Sequence, residues 1–131
     1  MEILNVLVAA LAAFAFGAVW YSAMANPWMA AAGIQMGADG KPINAAEKLP
    51  FVIGFIAMIV VAGMMRHMFQ MAGIASIGKG FLSGLGIGAF FVVPWLAMNY
   101  AFAGRPMKLT VIDGVNAIAG CTIMGVVLTL F

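Results

Sequence analysis

Asp113 is the residue with the most to explain. It stands about four residues into a long apolar run, and it is the one acid inside any predicted span. A carboxylate in hydrocarbon is costly, and such groups mark proton, ion or polar-ligand sites. The structural alternative is a helix cap. Thr110 and Asp113 have the spacing of a capping pair, and an acid in a first turn complements the helix dipole. Arg105 or Lys108 could then neutralise it from the preceding turn. Arg105, in the tight Gly104-Arg105-Pro106 turn, suits a lipid phosphate, another anion, or Asp113 itself. Asn99 and Asn116 are the other polar residues of these spans, and hydrogen bonds between helices account for both.

Further chemistry is thinly provided. His67 has no second His, Cys or acid at ligand spacing in its segment, so no metal site is expected. Cys121 lies deep in a span without a basic sequence neighbour and reads as an inert small residue. No nucleophile–base arrangement and no phosphate-cradling glycine loop is visible. The expectation is a protein with no catalytic residues and no cofactor.

The elements that hold these residues follow from composition. Of 131 residues, 66% are hydrophobic and 8% charged, against roughly one-quarter charged in soluble domains. A span needs about 20 apolar residues, so the predicted fold is an all-α integral membrane bundle of four transmembrane helices. Their predicted ranges are residues 3–24, 49–71, 77–102 and 109–131, forming one domain. Residues 28–36, after the Asn26-Pro27 cap-and-proline pair, predict a short interfacial segment. Residues 37–41 read as a turn, and Asn44 with Glu47 has capping-box spacing, competing with a start near Pro50. Arg66-His67 marks the exit of the second span. Glu2 and the absence of Lys or Arg before Ala23-Met24-Ala25 argue for a retained span rather than a cleaved signal.

This topology puts both ends of the chain on one side, side A, and all the tryptophans and tyrosines towards the other, side B. Trp20, Tyr21, Trp28, Trp95 and Tyr100 then read as headgroup-level anchors, with a shared binding face as the functional alternative. Side B also carries Lys41, Lys48, Arg105 and Lys108, against Arg66 and Lys79 on side A. The positive-inside rule favours a cytoplasmic side B and periplasmic termini. A net charge of +2 gives no reason to expect nucleic acid.

Small residues recur at four-residue spacing: Ala9, Ala13 and Gly17; Gly80, Gly84 and Gly88 after Ser76; and Ala117, Cys121 and Gly125. Each is a face for close helix approach. Pro94 should kink the third span by freeing the Phe90 carbonyl. Twelve methionines fill packing gaps or suit a varied partner surface.

Two stretches carry a family resemblance. Gly17-Ala18-Val19-Trp20-Tyr21-Ser22, and Asn99-Tyr100-Ala101-Phe102-Ala103-Gly104-Arg105-Pro106 followed by Lys108-Leu109, Ile112-Asp113 and Met124-Gly125, resemble a family of small bacterial membrane proteins known only as a domain of unknown function. The resemblance implies four membrane helices and no assigned activity. Asp113 departs from it, at a position where the pattern implies Asn.

Three functions follow as expectations. The first is a non-catalytic accessory subunit in the bacterial inner membrane, docked on a larger complex through the small-residue faces. The second is an oligomeric transporter of protons or small molecules using Asp113. The third, with least support, is an enzyme acting on lipid or quinone at side B.

Overall fold

The structure is a computed structural model, and it describes residues 2–35, 37–38 and 47–131. Residues 39–41 of the turn expected at 37–41, Met36 at the end of the interfacial segment, and Asn44 of the capping box lie outside the described residues. Four helices are long and apolar enough to cross a membrane: Glu2–Ala23, Leu49–Ala72, Ile77–Phe102 and Met107–Leu130. In chain order the elements are α1 (Glu2–Ala23), the short α2 (Ala25–Ala32), and α3 (Leu49–Ala72). The third span follows as α4 (Ile77–Ile87), a π-helical turn (Gly88–Val92) and α5 (Val93–Phe102), and the fourth is α6 (Met107–Leu130). The protein is an all-helical, multi-pass membrane protein.

Local sequence explains most of the boundaries. Pro50 occupies the first turn of α3, where its missing N–H removes no helical bond. Ser76 caps the third span by accepting from the Lys79 amide at 3.3 Å. Gly33 and Gly104 terminate α2 and α5 in the left-handed region, at φ 74° and 71°. The expected Asn26 cap is not formed. Helix α2 starts at Ala25 behind Met24, and Asn26 is a residue inside its first turn.

The third span departs from a simple proline kink. The wider π-helical turn comes directly before Pro94, and the Val93 amide reaches back to the Gly88 carbonyl. Inserting a residue here relieves the clash between the proline ring and the preceding turn and shifts the register of everything after it.

The spans lie as an open row rather than a closed four-helix square. Helix α6 packs on α1 along one side and on α4 and α5 along the other, while α3 packs mainly on α1. Among the described residues, α3 meets the third span at most marginally. The small-residue stripes explain the row. Ala9, Ala10 and Ala13 of α1 are fully buried, against Ala62, Met65 and Phe69 of α3 and Met124 and Leu128 of α6. Gly80, Gly84 and Gly88 lie against Gly125, Cys121 and Ile118 of α6. A Cβ on Gly88 would stand 2.6 Å from the Ile118 Cα, inside any real contact distance. The glycine face of the third span, Gly80, Gly84 and Gly88, is therefore the internal contact with α6.

Candidate functional site

The site at side B is built where α1, α5 and α6 come together. Asp113 lies six residues into α6, about 9 Å along the helix from its start at the usual rise. It caps nothing: α6 begins at Met107 behind Pro106, so Asp113 and Thr110 are both inside the helix. The half-buried carboxylate accepts two hydrogen bonds. Tyr21 from α1 donates to Oδ1 at 2.5 Å, and Tyr100 from α5 donates to Oδ2 at 2.5 Å. One side chain thus joins three spans.

The residues around it reinforce the junction. Trp20, one position before Tyr21, donates its indole N–H to the Ile112 carbonyl at 3.0 Å, one position before Asp113. The two chain segments therefore make two consecutive bonds, one to backbone and one to side chain. Phe16 stacks on Trp20 at 6.4 Å, and Trp28 of α2 meets the Tyr21 ring edge-on at 5.8 Å. Three of the five aromatics read as headgroup anchors, Trp20, Tyr21 and Tyr100, turn their polar tips into the protein. A carboxylate needs donors that water would otherwise supply, and the tyrosine hydroxyls take that role.

Arg105 does not neutralise Asp113. Its Nη1 donates to the Ala32 carbonyl at 2.9 Å, tying the α5–α6 turn to the end of α2. Lys108 is exposed at the start of α6. The two asparagines also depart from expectation. Asn99 is exposed, and no side-chain bond to another described residue is formed. Asn116 faces α1, but its Oδ1 is buried with no donor; a Cβ on Gly17 would stand 3.3 Å from it. An orphaned buried carbonyl costs about 1–3 kcal/mol, which makes Asn116 the unfinished corner of this site. Trp95 is 68% exposed on the outer face of α5 and belongs to no cluster.

A second polar node lies at side A, where the sequence reading places no site. Asn5 of α1 is 1% exposed. Its Nδ2 donates to the carbonyls of Phe131 and Val127, at 3.0 and 3.3 Å, and its Oδ1 accepts from Nη1 of Arg66. Arg66 is not at the helix exit; α3 continues to Ala72. The sequence does hold a signal for this node, because Asn5 stands four residues before Ala9 and so heads the stripe Ala9, Ala13, Gly17. A polar residue in register with a close-packing face must be buried with it.

Neither node holds three potential metal ligands, and no such group occurs among the described residues. Nothing orders Asp113, Tyr21 and Tyr100 into nucleophile, base and oxyanion donor.

Residues 4–129 match the family described as "Protein of unknown function (DUF1761)". The chain belongs to that family. No curated protein matches it, and no solved structure does. The matched stretch includes Asn5 and Arg66 as well as Tyr21, Tyr100 and Asp113, and it carries no activity with it.

Proposed function

We propose that this DUF1761 protein is a non-catalytic membrane protein that serves as an accessory or structural subunit of a larger membrane assembly. The observation that supports it is the state of Asp113. Both carboxylate oxygens are engaged by tyrosines from two other spans, which is the arrangement of a helix lock rather than of a group waiting for substrate. With the small-residue stripes internal, the docking face moves to the outside of the third span. Phe91, Trp95 and Phe102 stand there 66%, 68% and 90% exposed, at helical spacing on one stripe. Trp95 lies seven residues before the end of α5, about 10 Å along the helix. That depth leaves its indole N–H poorly placed for headgroup water and well placed for an acceptor on a partner helix. The same reading puts side B in the cytoplasm of a bacterial inner membrane, with both ends of the chain periplasmic, on the excess in sequence of Lys41, Lys48, Arg105 and Lys108 over Arg66 and Lys79.

The test is in-membrane photo-crosslinking from position 95, followed by mild-detergent purification and mass spectrometry. A stoichiometric larger membrane protein is expected. Recovery of this chain alone, or of its own oligomer, would overturn the reading.

One observation favours a second reading, proton-linked transport. The Asn116 side chain lies near Tyr21, and its Oδ1 is buried without a donor, so a ligand hydroxyl or amine arriving there would find a hydrogen-bond acceptor. Under that reading, Asp113→Asn abolishes a pH-driven flux in proteoliposomes. Under the accessory reading, the same variant keeps its crosslinked partner.

A further inference from the structure

Arg66 is a cation in a membrane span whose guanidinium is only partly matched. Asn5 holds Nη1, a neutral partner, and Nε is buried with no acceptor. Among the described residues no acidic side chain pairs with it. The acid in the same region is Glu2, whose Oε1 accepts from Gln70 Nε2 at 3.2 Å. Glu2 lines an adjoining groove of about 330 Å³, which Arg66, His67 and Gln70 also line.

Beside Arg66 is a cavity of about 230 Å³, lined by Arg66, Gln70 and Thr129 on its polar side and by Phe69, Ile74 and Leu128 on its apolar side. Ile74 and Ala75 belong to the link between α3 and α4, and Phe131 follows the end of α6. The cavity thus runs from the surface of side A down to Arg66. Arg66 itself stands six residues before the end of α3, about 9 Å along the helix. The cavity's volume is several times that of a water, roughly 30 Å³ in the liquid.

We propose that this cavity binds the headgroup of one phosphate-bearing amphiphile, with the phosphate on the Arg66 guanidinium and the chain leaving past Ile74. Three features carry the assignment. Among the described residues Arg66 is the one charged side chain lining the cavity, and its planar donor fork matches phosphate oxygens. Asn5 is fixed by the Val127 carbonyl of α6 and by the main-chain oxygen of Phe131 just beyond it, so the Arg66 Nη1 that it holds is in place before anything binds. Thr129 has already used its hydroxyl hydrogen on the Val126 and Gly125 carbonyls. It therefore presents a lone pair to the cavity and accepts from a hydroxyl, such as that of a glycerol headgroup. The site is on the opposite side of the membrane from Asp113 and is independent of the accessory reading.

The experiment is native mass spectrometry of the full chain released from nanodiscs of equal phosphatidylglycerol and phosphatidylcholine. A parallel arm measures melting in a zwitterionic detergent with inorganic phosphate. Expected is one retained phosphatidylglycerol per chain, at least tenfold over phosphatidylcholine. Arg66→Gln should reduce it to the phosphatidylcholine level. Ile74→Trp, which fills the cavity and leaves Arg66 and Asn5 untouched, should do the same with helix content unchanged. Arg105→Gln, at the other membrane face, should leave retention as it was. Phosphate-dependent stabilisation that Arg66→Gln removes, without lipid preference, would keep the site and assign it a soluble phosphate. Equal retention of the two lipids with no phosphate response overturns the proposal. So does phosphatidylglycerol retention that survives either variant.

Discussion

Asp113 and Tyr21, ninety-two residues apart, share a hydrogen bond of 2.5 Å, and the preceding pair, Ile112 and Trp20, share another of 3.0 Å. Two adjacent bonds fix both the rotation and the height of α1 against α6. Tyr100, on the second carboxylate oxygen, does the same for α5. Removing one hydroxyl leaves the carboxylate half satisfied, so Tyr21→Phe and Tyr100→Phe should each lower stability by about 1–2 kcal/mol. The double variant should lose a different amount from the sum, because both bonds share one acceptor group. Thermal melts of the four proteins in one detergent check this. Additivity within a few tenths of a kcal/mol would mean that the two tyrosines act separately.

The contact between α4 and α6 should be the least tolerant surface of the molecule. Gly84→Ala and Gly125→Ala each place a methyl group against backbone of the facing helix, which cannot move aside as a flexible side chain could. Losses of several kcal/mol, or failure to accumulate, are expected. Gly86 and Gly78, on the same helix as Gly84, have nothing within 4 Å of where an added methyl group would lie. Alanine there should be neutral, or stabilising by about 0.5–1 kcal/mol through helix propensity. Expression level and melting temperature across these four variants separate a packing face from mere glycine content.

How much of this is legible in the sequence differs by residue. Hydropathy marks the four spans because each long apolar run can satisfy its whole backbone in lipid as a helix. The stripes Gly80–Gly84–Gly88 and Ala117–Cys121–Gly125 state that each helix approaches something closely, but not that they approach each other. That pairing depends on which helices become neighbours, and spacing does not encode it. Asp113 stands out by its type, yet the partners that sequence proximity offers it, Arg105 and Lys108, are the wrong ones. Tyr21 and Tyr100 meet it only because α1, α5 and α6 converge at side B. The π-helical turn is hidden for a related reason. Pro94 announces a broken bond, and the packing of Gly88 on Ile118 helps decide how the break is absorbed.

Asn5 should matter more than a single amide suggests. It satisfies two carbonyls at the end of α6 and one N–H of Arg66. Asn5→Leu, close in volume, leaves all three without a partner and strands a half-buried guanidinium. A loss of about 3 kcal/mol is expected, in the range for breaking a buried charged contact. Asn5→Asp keeps the acceptors for Arg66 and should retain more stability than Asn5→Leu. Chemical denaturation in mixed micelles ranks the two, and the reverse order would mean that the α6 carbonyls dominate.

Arg105 provides the contrast. Its bond is to the Ala32 carbonyl, in an exposed turn. Arg105→Ala should shift stability by no more than about 0.5 kcal/mol, whereas a residue neutralising Asp113 would cost several times that. A melting curve within a degree or two of the parent confirms that the carboxylate depends on tyrosines and not on the turn.

An asparagine at position 113 would fit the same geometry as the aspartate. An asparagine side chain has one acceptor oxygen and one donor amide. Tyr21 can keep donating to the oxygen while the Tyr100 hydroxyl turns to accept from the amide, because a phenol does either. Asp113→Asn should therefore keep the three-helix junction with a loss under about 1 kcal/mol. Asp113→Leu leaves both hydroxyls facing an apolar group, each a partly buried donor without an acceptor, and should lose about 2–4 kcal/mol. Combining Asp113→Leu with Tyr21→Phe and Tyr100→Phe removes the stranded hydroxyls and should recover part of that loss. Melting temperatures of the Asn, Leu and triple variants decide it. A large loss in Asp113→Asn would mean that the negative charge itself, and not the pair of hydrogen bonds, is what this position supplies.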